Sequence, residues 1–127
     1  MILVDTSVWV EHLRRREPIL EAALNANEVL MHPFVLGELA CGNLNRRAEV
    51  LSLMRELPPA PVVTEDEALD FIDRRKLMGR GVGYVDVHLL ASVVLTESTS
   101  LWTRDKWLAS LADDLGRAFT RTERAPG

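Results

Sequence analysis

The chain has 127 residues, 47% of them apolar and 27% charged, and its 19 acids outnumber its 15 bases to leave a net charge of −4. That length and balance exclude a disordered polyanion and set the expectation of a single domain over residues 1–127. They also exclude a protein that coats nucleic acid by bulk charge, although not one that takes nucleic acid as a substrate.

Ile2-Leu3-Val4 reads as a short buried strand that ends at Asp5. Ser7 to Arg16 follows as a helix with Ser7 as its cap, and Pro18 opens a second helix running to about Asn27. Val29-Leu30-Met31 is a second strand, and Pro33 opens a helix through about Gly42. Another helix over Asn45 to Leu57 stops at Pro58-Pro59. Pro61-Val62-Val63 is expected as a third strand, and Thr64 with Glu67 forms a capping box for a helix that runs to near Gly79. Gly81-Val82-Gly83 is a loop, and the nearly all-apolar Tyr84 to Glu97 segment is a buried helix. Ser100 to Thr103 is a fourth strand, and Lys106 to Leu115 a last helix ended by Gly116. Ala118-Phe119-Thr120 is expected as a further edge strand, with a frayed tail over 122–127. Short strands alternating with helices predict an α/β sandwich of three layers, with a mainly parallel sheet of four to five strands flanked by helices.

No apolar run approaches the roughly 18–20 residues of a membrane span. Met1 to Val10 has no basic flank and includes Asp5, so no secretory signal is expected. The lone Cys41 excludes an intramolecular disulfide and a cysteine-based zinc cluster, and it fits a reducing cytoplasm.

In a parallel sheet, function gathers at the carboxyl ends of the strands, and Asp5 and Asp105 fall there. Two more acids are singled out by helical phase. Glu38 is expected on the inner face of its helix, with Phe34, Val35 and Cys41 around it. Asp86 shares a face with Leu89, Leu90 and Val93 in the first turn of the buried helix. A buried carboxylate must be paired, protonated or bound to a cation. Four converging on one cleft suit Mg²⁺ or Mn²⁺, one or two ions, and hence in-line phosphoryl transfer. Taken singly, Asp5 and Asp105 also read as helix caps, Asp86 as an acid favoured by the helix dipole, and Glu38 as a solvent-facing residue. Thr6 and Thr103 flank the acids, where their hydroxyls either orient a ligand or cap turns.

Other features weaken as candidates. His88 lies about 200° around its helix from Asp86, so the two cannot share one ion, and His12 and His32 have no partner at metal spacing. Gly79-Arg80-Gly81-Val82-Gly83 follows a helix, whereas a phosphate loop follows a strand. Trp9, Trp102 and Trp107 read as core or partner-facing rather than as base-stacking platforms.

The opening Met1-Ile2-Leu3-Val4-Asp5-Thr6-Ser7-Val8-Trp9-Val10, then Glu38-Leu39, Gly83-Tyr84-Val85-Asp86-Val87-His88-Leu89-Leu90-Ala91-Ser92 and Thr103-Arg104-Asp105 resemble the PIN-domain ribonucleases. More narrowly, they resemble the VapC toxins of bacterial toxin–antitoxin pairs. The resemblance spans essentially the whole chain in the family's order. It implies a PIN-like sandwich and an endoribonuclease dependent on Mg²⁺ or Mn²⁺, with the acidic quartet on Asp5, Glu38, Asp86 and Asp105. Thr103 falls on the family's small hydroxyl residue two before the last acid. The implied substrate is structured RNA, a tRNA or ribosomal RNA loop. The implied partners are a VapB-type antitoxin, a second copy of the chain in a homodimer, and a higher assembly with the antitoxin. Arg14, Arg15, Arg46, Arg80, Arg104 and Lys106 are candidate RNA contacts at the cleft rim.

Three other readings compete. One is a nuclease of this fold outside toxin–antitoxin biology. A second is a phosphohydrolase of the haloacid-dehalogenase type, but that class wants a second Asp where Ser7 stands. The third, a non-catalytic binding module, would need a broken quartet. Setting the four acids aside leaves 15 acids against 15 bases, so the excess negative charge is numerically that of the quartet.

Overall fold

A computed structural model describes residues 1–120, and the expected frayed tail at 122–127 lies outside the described residues. The elements are β1 (Ile2–Val4), α1 (Thr6–Arg14), α2 (Pro18–Asn25), β2 (Val29–Leu30), α3 (Pro33–Ala40), α4 (Arg47–Arg55), α5 (Glu65–Arg75), α6 (Tyr84–Val94), β3 (Ser100–Trp102) and α7 (Lys106–Asp114). Every residue of β1 and β2 is buried, as expected for parallel strands covered on both faces.

The sheet has the order β2-β1-β3, all parallel, with Leu3 opposite Leu30 on one side and Leu101 on the other. Among the described residues three strands form, not the four to five expected. The Pro61-Val62-Val63 segment is not a strand: contact with β2's edge is a single bridge from Met31 to Pro59. Proline supplies no N–H for a ladder, and Pro58, Pro59 and Pro61 fall in four residues, so pairing ends once Ala60 N–H has reached the Met31 carbonyl at 3.0 Å. On the other edge, Ala118 makes one parallel bridge to Leu101 and goes no further.

The helices follow local signals with small offsets. In α5, Thr64 accepts from Glu67 N–H at 3.1 Å, and Glu67 accepts from Thr64 N–H at 2.9 Å. That helix stops at Arg75, short of Gly79, because Lys76 turns left-handed at φ 54°. α6 is the most apolar helix in its setting: Val87 to Val93 are all buried, and it packs on α5 and β3. Each of Leu89, Leu90 and Val93 so placed contributes about 1.5–3 kcal/mol of burial. Among the described residues, no helix is long and apolar enough to cross a membrane.

Because the chain leaves β1 for β2 on one side and later returns to β3 on the other, the carboxyl ends of β1 and β3 flank the point where strand order reverses. Crevices in such sheets open there. Asp5 and Thr103 immediately follow those two strands.

Candidate active site

Asp5 is the anchor. Its backbone N–H donates to the Trp102 carbonyl at 2.9 Å, which extends the β1–β3 ladder by one step. Although it stands at the N-cap of α1, its side chain makes no cap bond. Instead its Oδ2 accepts from Ser7 Oγ at 2.8 Å and from Thr103 Oγ1 at 2.7 Å. Both hydroxyls are themselves held: Ser7 Oγ accepts from Arg104 N–H at 3.0 Å, and Thr103 Oγ1 accepts from Asp105 N–H at 3.0 Å. The carboxylate is only 7% exposed, so these two donors replace the water it has lost. Ser7 is the residue that sequence reasoning missed. It was expected to cap α1, which in fact begins at Thr6, and only its pairing with residues almost a hundred positions away reveals its role.

Asp105 does cap α7. Its Oδ1 accepts from Trp107 and Leu108 N–H at 2.9 and 3.1 Å, which leaves Oδ2 outside the cap. The capping and site readings are therefore compatible for this residue, one oxygen serving each.

Asp86, half-buried in the first turn of α6, accepts from Gly83 N–H at 3.2 Å. Burial pushes its carboxyl up from the ordinary value, the Gly83 N–H pulls it down, and the negative charges of Asp5, Asp105 and Glu38 push it up again. All four acids thus share one electrostatic neighbourhood, although they come from four separate stretches of chain.

Glu38 corrects the helical-phase expectation. The buried stripe of α3 is Val35 and Leu39, and Glu38 is exposed. It meets the cleft from the rim, held by Thr6 Oγ1 at 2.6 Å. Phe34, assigned to the same inner face, is likewise exposed at 36%.

The quartet offers only oxygen ligands, as a hard divalent cation requires. Among the described residues, no three acids, histidines or cysteines already stand as a closed cage. Oxygen-only donors are the type that Mg²⁺ or Mn²⁺ takes; of the four, Asp5 is buried, Asp86 is half-buried, and Glu38 and Asp105 are exposed.

Thr103→Val removes the hydroxyl that joins Asp5 to the Asp105 backbone while keeping the side chain's volume. Partners of this kind, which orient a ligand, are worth about 10- to 100-fold in metal affinity or turnover. Metal titration of activity should show the loss, with thermal stability changed far less.

The six cationic candidates each have neighbours of their own. Arg14 lines a cavity of about 440 Å³ with Glu38. Arg15 and Arg46 pair along their own segments with Glu11 at 3.8 Å and Glu49 at 2.7 Å. Arg80 reaches Asp114 at 3.1 Å, and Arg104 reaches Glu17 at 3.4 Å. The Lys106 ammonium lies 5.2 Å from the Trp107 ring centroid. Of the three tryptophans, Trp9 and Trp102 are core at 3% and 7%, whereas Trp107 is 55% exposed. His12 and His32 are structural, accepting at Nδ1 from Glu17 and Phe34 N–H.

The class of protein is defined by residues 2–114, which match the PIN domain. The chain is 49% identical over 119 residues to "Ribonuclease VapC32" of Mycobacterium tuberculosis in two strains, CDC 1551 / Oshkosh and H37Rv, covering 94% of this chain and 96% of that protein. Its fold is similar to that in the crystal structure of FitAcB from Neisseria gonorrhoeae, with a TM-score of 0.61, 24% identity, and 89% and 94% of the two chains covered. The chain belongs to the PIN-domain family, within its VapC branch.

Proposed function

We propose that the chain is a metal-dependent endoribonuclease and the toxin of a toxin–antitoxin pair. The observation that carries this reading is the seating of Asp5 at the carboxyl end of β1, its Oδ2 held by Ser7 and by Thr103 from the end of β3, in a chain 49% identical to a VapC ribonuclease. The name of the VapC32 relative supports RNA as the substrate.

Asp5, Asp86 and Asp105 would hold the divalent ion, which when bound supplies charge neutralisation at the scissile phosphate and a more acidic water. Ser7 and Thr103 keep Asp5 in one orientation. Glu38, fixed by Thr6, positions the attacking water. Water oxygen bonds to phosphorus, the P–O3′ bond breaks, and the water's proton ends on O3′. The products are a 5′-phosphate and a 3′-hydroxyl.

Asp5's own geometry disfavours an aspartyl-phosphate mechanism. A nucleophilic carboxylate needs access to phosphorus, but this one is 7% exposed with Oδ2 occupied by two hydroxyls. A VapB-type antitoxin is the natural partner for the groove beside Glu38, where exposed Val10 and Leu13 line the same cavity as Arg14. A second copy of the chain completes the proposed assembly.

The test is cleavage of a structured RNA by the purified chain. Activity should disappear with EDTA, return with Mg²⁺ or Mn²⁺, and leave 5′-phosphate ends. Undiminished cutting in EDTA would remove the metal from the mechanism, and no cutting with either ion would remove the RNA.

A further inference from the structure

Trp107 is an exposed indole with no structural duty of its own. The apolar face of α7 is made by Leu108, Leu111 and Ala112, all buried, while Trp107 stands at 55% exposure. Exposing so large an apolar ring to water is unfavourable, which makes its setting informative. Its backbone N–H is bonded to Asp105 Oδ1 at 2.9 Å, which places the residue beside a quartet member. The loop before α6 is packed against it. Gly81, at φ +82°, comes so close that a Cβ there would meet Trp107 Cγ, Cδ2 and Cδ1 at 3.3, 3.4 and 3.5 Å. Near-equal distances to three atoms of the five-membered ring mean that the backbone approaches a ring face rather than an edge. A Cβ there would press on the ring, and the positive φ favours glycine. The loop thus steadies the indole without covering it, and a cavity of about 270 Å³ remains between Gly79, Arg80, Gly81, Trp107 and Ser110.

Both signs of charge stand near this ring: Lys106 lies over it at 5.2 Å and Arg80 lines the same cavity, while Asp105 accepts from the Trp107 N–H and Asp114 pairs with Arg80. The Arg80–Asp114 pair is exposed at both ends and holds Arg80 only weakly, so its guanidinium is available to a phosphate. An exposed aromatic side chain with cations beside it is how proteins hold unpaired nucleic-acid bases.

We propose that Trp107 is a stacking platform for one unpaired base of the RNA, beside the scissile phosphate, with Lys106 and Arg80 meeting the flanking phosphates. This rests on the ribonuclease reading and deepens it. The cleft would select single-stranded loops because only an unpaired base exposes a face for the indole. Stacking alone tolerates any base, so Trp107 would contribute affinity and a preference for unpaired RNA rather than a sequence code.

The test uses the full chain carrying Asp5→Asn, in Mg²⁺, with a fluorescently labelled single-stranded RNA oligonucleotide read by anisotropy. Trp107→Ala should weaken binding roughly 5- to 150-fold, and Trp107→Phe, which keeps an aromatic face, should recover most of that loss. The salt dependence should be unchanged in Trp107→Ala, since no charge is removed, and should shallow by about one ion in Lys106→Ala. Intrinsic fluorescence gives a second readout. With Trp9 and Trp102 buried, RNA should quench the parent through Trp107, and the quench should vanish in Trp107→Phe. If Trp107→Ala binds RNA within twofold of the parent, the platform is wrong and the indole serves a protein partner instead. If the parent binds no RNA although the wild-type chain cuts it, the platform alone falls; if the wild-type chain cuts none either, the platform and the ribonuclease reading fall together.

Discussion

Asp5→Asn abolishes RNA cleavage and leaves the fold intact: this is the largest effect expected of any single substitution in the chain. Asparagine keeps the size of aspartate and one carbonyl oxygen, so Ser7 and Thr103 retain an acceptor, and the backbone bond to Trp102 is untouched. What disappears is the negative charge at the most buried of the four acids. A divalent ion at a phosphodiester supplies several kcal/mol of transition-state stabilisation, so losing its central ligand lowers turnover by roughly 10³-fold or more. Cleavage measured beside a melting curve separates the outcomes. Wild-type turnover in the folded variant would sink the quartet assignment, and a collapsed melting temperature would recast Asp5 as structural.

The second large effect is on stability. His32 is fully buried, and burial first, then the neighbouring His88, lowers its imidazole from 6.5 to about 4. Its Nδ1 accepts from Phe34 N–H at 3.0 Å to cap α3, which puts the proton on Nε2, buried without a hydrogen-bond partner among the described residues. Protonating Nδ1 would remove that acceptor and place a charge in the core. The unfolded chain takes up this proton near pH 6.5 and the folded chain only near 4. Stability is therefore full above about pH 6.5 and declines as pH falls through the window, by up to about 3 kcal/mol. His12 and His88 are lowered too, chiefly by burial, and act in the same direction. His32→Asn keeps a capping acceptor and loses the titration, so its melting temperature should fall less between pH 7 and pH 5. Parallel profiles for the two proteins would show that His32 does not titrate in this window.

Much was legible in the sequence because it is encoded within a few residues. The Thr64–Glu67 capping box, the prolines opening α2 and α3, the apolar run of α6 and the strand ending at Asp5 all depend on neighbours along the chain. Asp5, Asp86 and Asp105 stand beside local markers, a strand end or a helix's first turn, whereas Glu38 lies in the last turns of α3 with no such marker. Only the tertiary structure decided what those markers could not carry. Three prolines stopped a fourth strand, and a rotation of α3 put Val35 and Leu39 inward and Glu38 at the rim, where Thr6 could hold it. Ser7 became a brace for Asp5 rather than a cap, and Trp107 stayed in water against Gly81. Each of these outcomes depends on which residues distant in sequence arrive alongside. Periodicity and capping act over one or two turns, whereas the Ser7, Asp5 and Thr103 contacts join residues almost a hundred apart and exist only once β1 and β3 have paired.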